Sequence, residues 1–275
     1  MKSLLPEDYI EPRCPLCEAP YGVKEEVKPV PQRRIADKLD DYMSRRDYAG
    51  AERHLLYWLE EAILGHDKRG ELMLRGELVG HYRKNNERDK AFLHAQAALE
   101  LLEELDYTAS LSAATTYINI ATAYCAFGEN EAALPLFEKA RTIYENAPAV
   151  KPELLGGLYN NMGLTYTALD RYEEALSLFD KAAEEMAQVP GSEAEQAISC
   201  LNKADALEAQ DGQENEKAIQ MLADRAWELL NAPTLLHDGY YAFVCEKCAS
   251  VFAHYGYFSA AETLSARAKE IYERP

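Results

Sequence analysis

One residue recurs along this chain at a spacing that excludes most folds. Ala51, Ala91, Ala133, Ala175, Ala218 and Ala261 stand 40, 42, 42, 43 and 43 residues apart. A fixed period of this size marks an array of supersecondary units, each of which buries its apolar face against its neighbour. Residues 158–190, LYNNMGLTYTALDRYEEALSLFDKAAEEMAQVP, show the unit most clearly. Tyr159, Met162, Gly163 and Tyr166 fall on one stripe of an amphipathic helix. Ala175, Phe179 and Ala182 fall on one stripe of a second, with small residues where two helices must approach. Glycine is scarce, at 14 residues, and this favours helix over sheet or loop.

The other units repeat this pattern with varying fidelity. Tyr117, Ile120, Ala121 and Tyr124 precede Phe137 and Ala140 in the third; Cys245, Cys248, Ala249 and Phe252 precede Leu264 and Ala268 in the sixth. The first keeps Ile35, Leu39, Tyr42 and Leu55, and the second keeps Tyr82, Ala95 and Ala98 but has Arg75 where an aromatic is expected. The fifth keeps Ala204, Leu207 and Leu222 and carries an insertion, QDGQENE, in its turn. Pro148, Pro190 and Pro233 each follow their alanine by 15 residues and end the second helix at one place. Gly128 and Gly256 sit where the first helix must stop, a position that commonly needs a left-handed residue.

An aromatic, a Met-Gly pair and a Tyr on helix A, followed by Ala, Phe and Ala on helix B, resemble the tetratricopeptide repeat (TPR). The longer period of about 42 residues resembles the repeats of kinesin light chains. The resemblance implies an all-α fold: a right-handed α-solenoid, or superhelix, of six helix-turn-helix repeats over residues 33–275. It also implies a non-catalytic scaffold that binds a protein or peptide. Residues 1–32 differ. They hold half of the 12 prolines and read as an extended Pro-rich arm.

A second pattern runs through helix A that packing does not require. Asn119, Asn161 and Asn202 each stand two residues before the small Ala121, Gly163 or Ala204. At about 100° per residue this position points roughly 160° from the centre of the apolar stripe, away from helix B. Asparagine is a poor helix former, so propensity gives no reason for it there. Its amide offers one donor group and one acceptor, which is what an extended peptide backbone needs. The arrangement resembles the asparagine ladders of kinesin light chains and O-GlcNAc transferase. The competing reading is that these amides bridge neighbouring helices. Asn160, Thr122 and Glu77 are further groove candidates beside the ladder. A carboxylate clamp of the chaperone type is disfavoured, because Gly80, Thr122, Leu164 and Asp205 replace its groove asparagine.

Cys14-Pro-Leu-Cys17 in the arm resembles half of a zinc ribbon, although Glu18 replaces the glycine that usually follows. Zinc at Cys14 and Cys17 needs a second ligand pair. The other Cys-x-x-Cys, Cys245 to Cys248, lies on stripe positions and reads as core. A plain thiol pair is the alternative, and no other cofactor is implied. The six histidines show no metal-ligand spacing, and no nucleophile motif or phosphate loop occurs, so an enzyme is not expected. The net charge of −18 argues against a nucleic-acid partner, since phosphate affinity comes from Lys and Arg. No run of about 20 apolar residues exists to span a membrane. The cytoplasm is the default location, and six cysteines are too few for a disulfide scaffold. A peptide-signal sensor of the TPR type is the second functional reading. The sequence leaves the oligomeric state open.

Overall fold

The computed structural model of the protein describes residues 27–274. The arm's Cys14 and Cys17 therefore lie outside the described residues. Eleven helices follow in order: α1 (Gln32–Ser44), α2 (Tyr48–Leu64), α3 (Lys68–Lys84), α4 (Arg88–Glu104), α5 (Leu111–Ala126), α6 (Asn130–Asn146), α7 (Pro152–Ala168), α8 (Tyr172–Met186), α9 (Glu193–Leu230), α10 (Gly239–His254) and α11 (Phe258–Tyr272). No strand occurs among the described residues. The chain divides into two compact units, the first ending at Leu74 and the second beginning at Arg75.

In the first unit, α1 packs on α2 through the buried Ile35, Ala51 and Leu55. Asp67, itself buried, accepts hydrogen bonds from the Gly70 N–H at 3.0 Å and from the Val30 N–H at 2.9 Å. One carboxylate thus caps the start of α3 and pins the extended segment before α1, with Lys28 N–H donating to the Gly65 carbonyl at 2.8 Å.

In the second unit consecutive helices pack in pairs, and each pair packs on the next, as in an α-solenoid. Among the described residues, five A-to-B turns contain a left-handed residue: Arg46, Asn86, Gly128, Asp170 and Gly256, with φ of 57°, 59°, 80°, 56° and 82°. Only two are glycine. The others adopt a conformation that L-residues disfavour by roughly 1–2 kcal/mol, which Asn and Asp tolerate best. The turn of the fifth repeat is built differently. Asp211 adopts φ −166° and ψ 95° inside α9, breaking it into two helical segments, and its carboxylate accepts from the Gln213 and Glu214 N–H groups at 3.1 Å.

That break changes the register. Ala51, Ala91, Ala133, Ala175 and Ala261 are buried, but Ala218 is exposed. Ile219 takes its buried place, followed on the same stripe by Ala223, Ala226 and Leu230. The helix restarts after Asp211, and its apolar stripe rather than the alanine spacing decides which side turns inward.

Gly163 shows why a glycine belongs on helix A. A Cβ there would lie 2.6 Å from the Phe179 ring, so α7 and α8 touch through backbone against aromatic.

Candidate functional site

The helix-A residues of the third and fourth repeats border a shallow pocket of about 260 Å³. Asn161, Leu164 and Ala168 enter it from α7, Thr122 and Cys125 from α5, and Asn130 and Phe137 from α6. Asn161 is half-buried, as is Asn130 at the first position of α6. Neither side-chain amide has a hydrogen-bond partner among the described residues. The pocket is therefore apolar on one side and carries two free amides on the other. It can hydrogen-bond a peptide group and bury a side chain beside it.

The ladder residues separate into two kinds. Asn119 is exposed on α5 and Asn161 opens into the pocket, both with side-chain amides that bond no described residue. Asn202 instead donates through its Nδ2 to Asn160 Oδ1 at 3.1 Å, joining α9 to α7. Two of the sequence candidates thus satisfy one another across a helix joint. Asn202 still has its second N–H and its Oδ1 to offer. The Thr122 hydroxyl donates to the Ile118 carbonyl at 2.7 Å, which leaves it only as an acceptor toward a ligand. Glu77 lies exposed on α3, outside the pocket lining. Asp205 accepts from the Tyr255 hydroxyl at 2.6 Å, and burial raises its carboxyl above the usual range.

Asn130, Cys125, Phe137 and Thr165 line the pocket but escape sequence reasoning. Asn130 carries no motif: its role depends on the turn at Gly128 bringing the start of α6 beside α7. Cys125 contacts the Thr165 hydroxyl at 3.2 Å, and burial raises its thiol pKa.

Two TPR models match the sequence, over residues 70–146 and 156–188. The chain carries tetratricopeptide repeats over these residues. No curated protein matches it significantly in sequence. Among solved structures, this TPR protein resembles the nearly identical TPR-like repeats of a putative kinesin light chain from Podospora anserina. The structure of a single-substitution variant of those repeats aligns with a TM-score of 0.55 at 16% identity, covering 75% of this chain and 95% of the other. A second structure of the same repeats gives 0.54 and 16%, covering 73% and 94%. At this identity the likeness concerns the fold.

Elsewhere the TPR protein's thiols are packing groups. Cys245 and Cys248 are buried in the last repeat among Leu230, Tyr241 and Phe252, and burial pushes the Cys248 thiol up to about 12. A zinc site shared with the arm would have to draw these sulfurs out of the core. No group of three or more His, Cys, Asp or Glu among the described residues could hold a metal ion. No described helix is long and apolar enough to cross a membrane.

Proposed function

We propose that this TPR protein is a non-catalytic interaction scaffold that holds an extended peptide segment along its A helices, gripped at the α5–α7 pocket. The supporting observation is the pair of unpartnered amides, Asn161 and Asn130, beside the apolar wall of Phe137, Leu164 and Ala168. A half-buried amide without an internal partner keeps its donors and acceptor for water or a ligand, and a peptide backbone offers the matching groups. Asn119 extends the same chemistry along α5. With Asn202 bridged to Asn160, two of the three ladder amides are fully available. At about 1 kcal/mol net each they contribute roughly 2 kcal/mol, or about 30-fold in affinity. That secures a ligand, while the pocket wall selects its side chain.

The test is selection from a displayed library of unstructured peptides, followed by affinity measurements on the selected sequences. Asn161→Ala should weaken binding about five- to tenfold, and Asn202→Ala should weaken it less. Selected peptides that bind wild type and Asn161→Ala equally would refute the reading.

A further inference from the structure

The joints between repeats reveal a socket on the last one. Take the small residue of each helix A (Ala121, Gly163, Ala204, Ala249) and the buried residue that starts each helix B (Ala91, Ala133, Ala175, Ile219, Ala261) as origins. Five places counted from these origins receive the following repeat at one or two internal joints. Three before the A origin, Asn160 receives Asn202. One after, Asp205 receives Tyr255. Four after, Cys125 meets Thr165 at 3.2 Å and Glu208 meets His254 at 2.7 Å. Three before the B origin, Arg88 pairs with Glu129. One after, Phe92 packs edge-on against Tyr124 at 4.8 Å.

In the last repeat these five places are Glu246, Ser250, Ala253, Phe258 and Glu262. All five line one hollow of about 590 Å³ between α10 and α11. Phe258 is 67% exposed there. The hollow therefore has the positions of a receiving joint with no helix in it among the described residues.

Its chemistry differs from the internal joints. Where Ile118, Asn160 and Leu201 stand three before the A origin, the last repeat has Glu246. Where Phe92, Leu134, Leu176 and Gln220 stand one after the B origin, it has Glu262. Both carboxylates are exposed, and neither is paired among the described residues. An apolar floor flanked by two free carboxylates suits an amphipathic helix with cations at the matching positions. A second copy of this chain offering α1 fits poorly. By the same register α1 would set Asp37 against Glu246, like charge against like.

We propose that the α10–α11 face is a docking surface for a helix of a partner protein, carrying Lys or Arg opposite Glu246 and Glu262. This site is separate from the peptide groove and does not depend on it. Two synthetic amphipathic helical peptides serve as probes, identical except that one carries lysine and the other glutamate at two face positions five residues apart. Fluorescence anisotropy at low salt should show wild type preferring the lysine peptide by about tenfold. Glu246→Lys with Glu262→Lys should reverse the preference. Glu173→Lys with Glu184→Lys, which changes total charge equally on α8, should leave it in place. Failure of both peptides to bind, or a preference moved equally by both charge reversals, would overturn the proposal. So would self-association in sedimentation that disappears in the Glu246/Glu262 variant, which would assign the face to a second copy.

Discussion

Two glycines six residues apart in α7 test the packing logic with one substitution each. At Gly163 an added Cβ would stand 2.6, 2.8 and 2.9 Å from three Phe179 ring carbons, well inside contact distance. At Gly157 an added Cβ would meet nothing within 4 Å. Alanine in a helix interior is favoured over glycine by about 0.5–1 kcal/mol, so Gly157→Ala should stabilise the protein by up to that amount. Gly163→Ala receives the same propensity gain but overpacks a rigid ring in the α7–α8 seam, which typically costs about 1–3 kcal/mol. The two variants should therefore differ by roughly 1–3 kcal/mol, with Gly163→Ala the less stable. Urea unfolding followed by circular dichroism measures this directly. Adding Phe179→Leu to Gly163→Ala should recover part of the loss, giving a non-zero coupling energy in the double-mutant cycle. If Gly163→Ala unfolds at or above the urea midpoint of Gly157→Ala, close backbone approach is not the reason for the glycine.

His94 provides a pH-dependent case. It is buried against Tyr82, with ring centroids 5.6 Å apart, and burial followed by the neighbouring Arg75 cation lowers its pKa from 6.5 to about 4. Between these values the unfolded chain binds the proton that the folded chain refuses. Stability should thus be unaffected above 6.5 and fall as pH drops toward 4, by at most about 3 kcal/mol from this group. The stability difference between wild type and His94→Gln, taken from urea unfolding across that window, should change with pH; a flat difference would contradict the reasoning. In the first unit, Asp67→Ala removes the acceptor for both Gly70 and Val30 N–H groups. A loss of roughly 1–3 kcal/mol is expected, as for an N-cap that also leaves a buried donor unsatisfied. Hydrogen exchange should show faster exchange at Val30 and Gly70, and unchanged exchange there would count against the clasp.

Much of the array is legible from side-chain type and spacing. Ala133, Phe137 and Ala140 recur with Ala175, Phe179 and Ala182 because each helix B must present the same narrow stripe to its helix A. Turns are less legible. Arg46 and Asp170 occupy the left-handed place that Gly128 and Gly256 announce openly, since local strain there is offset by packing that no local signal records. The proposed peptide site is half legible. Asn161 stands out because it breaks helix propensity on an outward face. Asn130 does not, because asparagine at the start of a helix is ordinary.

Periodicity by itself determined that this chain is an α-helical repeat array with an apolar stripe on each helix, because burial at a fixed register leaves a fixed spacing in the sequence. Only the tertiary structure decided which asparagines are free. Asn161 and Asn202 hold equivalent places two residues before a small residue, yet one opens into a pocket and the other donates to Asn160. That difference depends on what the adjacent repeat places within about 3 Å of each amide, and a neighbour brought close by packing leaves no periodic trace in the sequence.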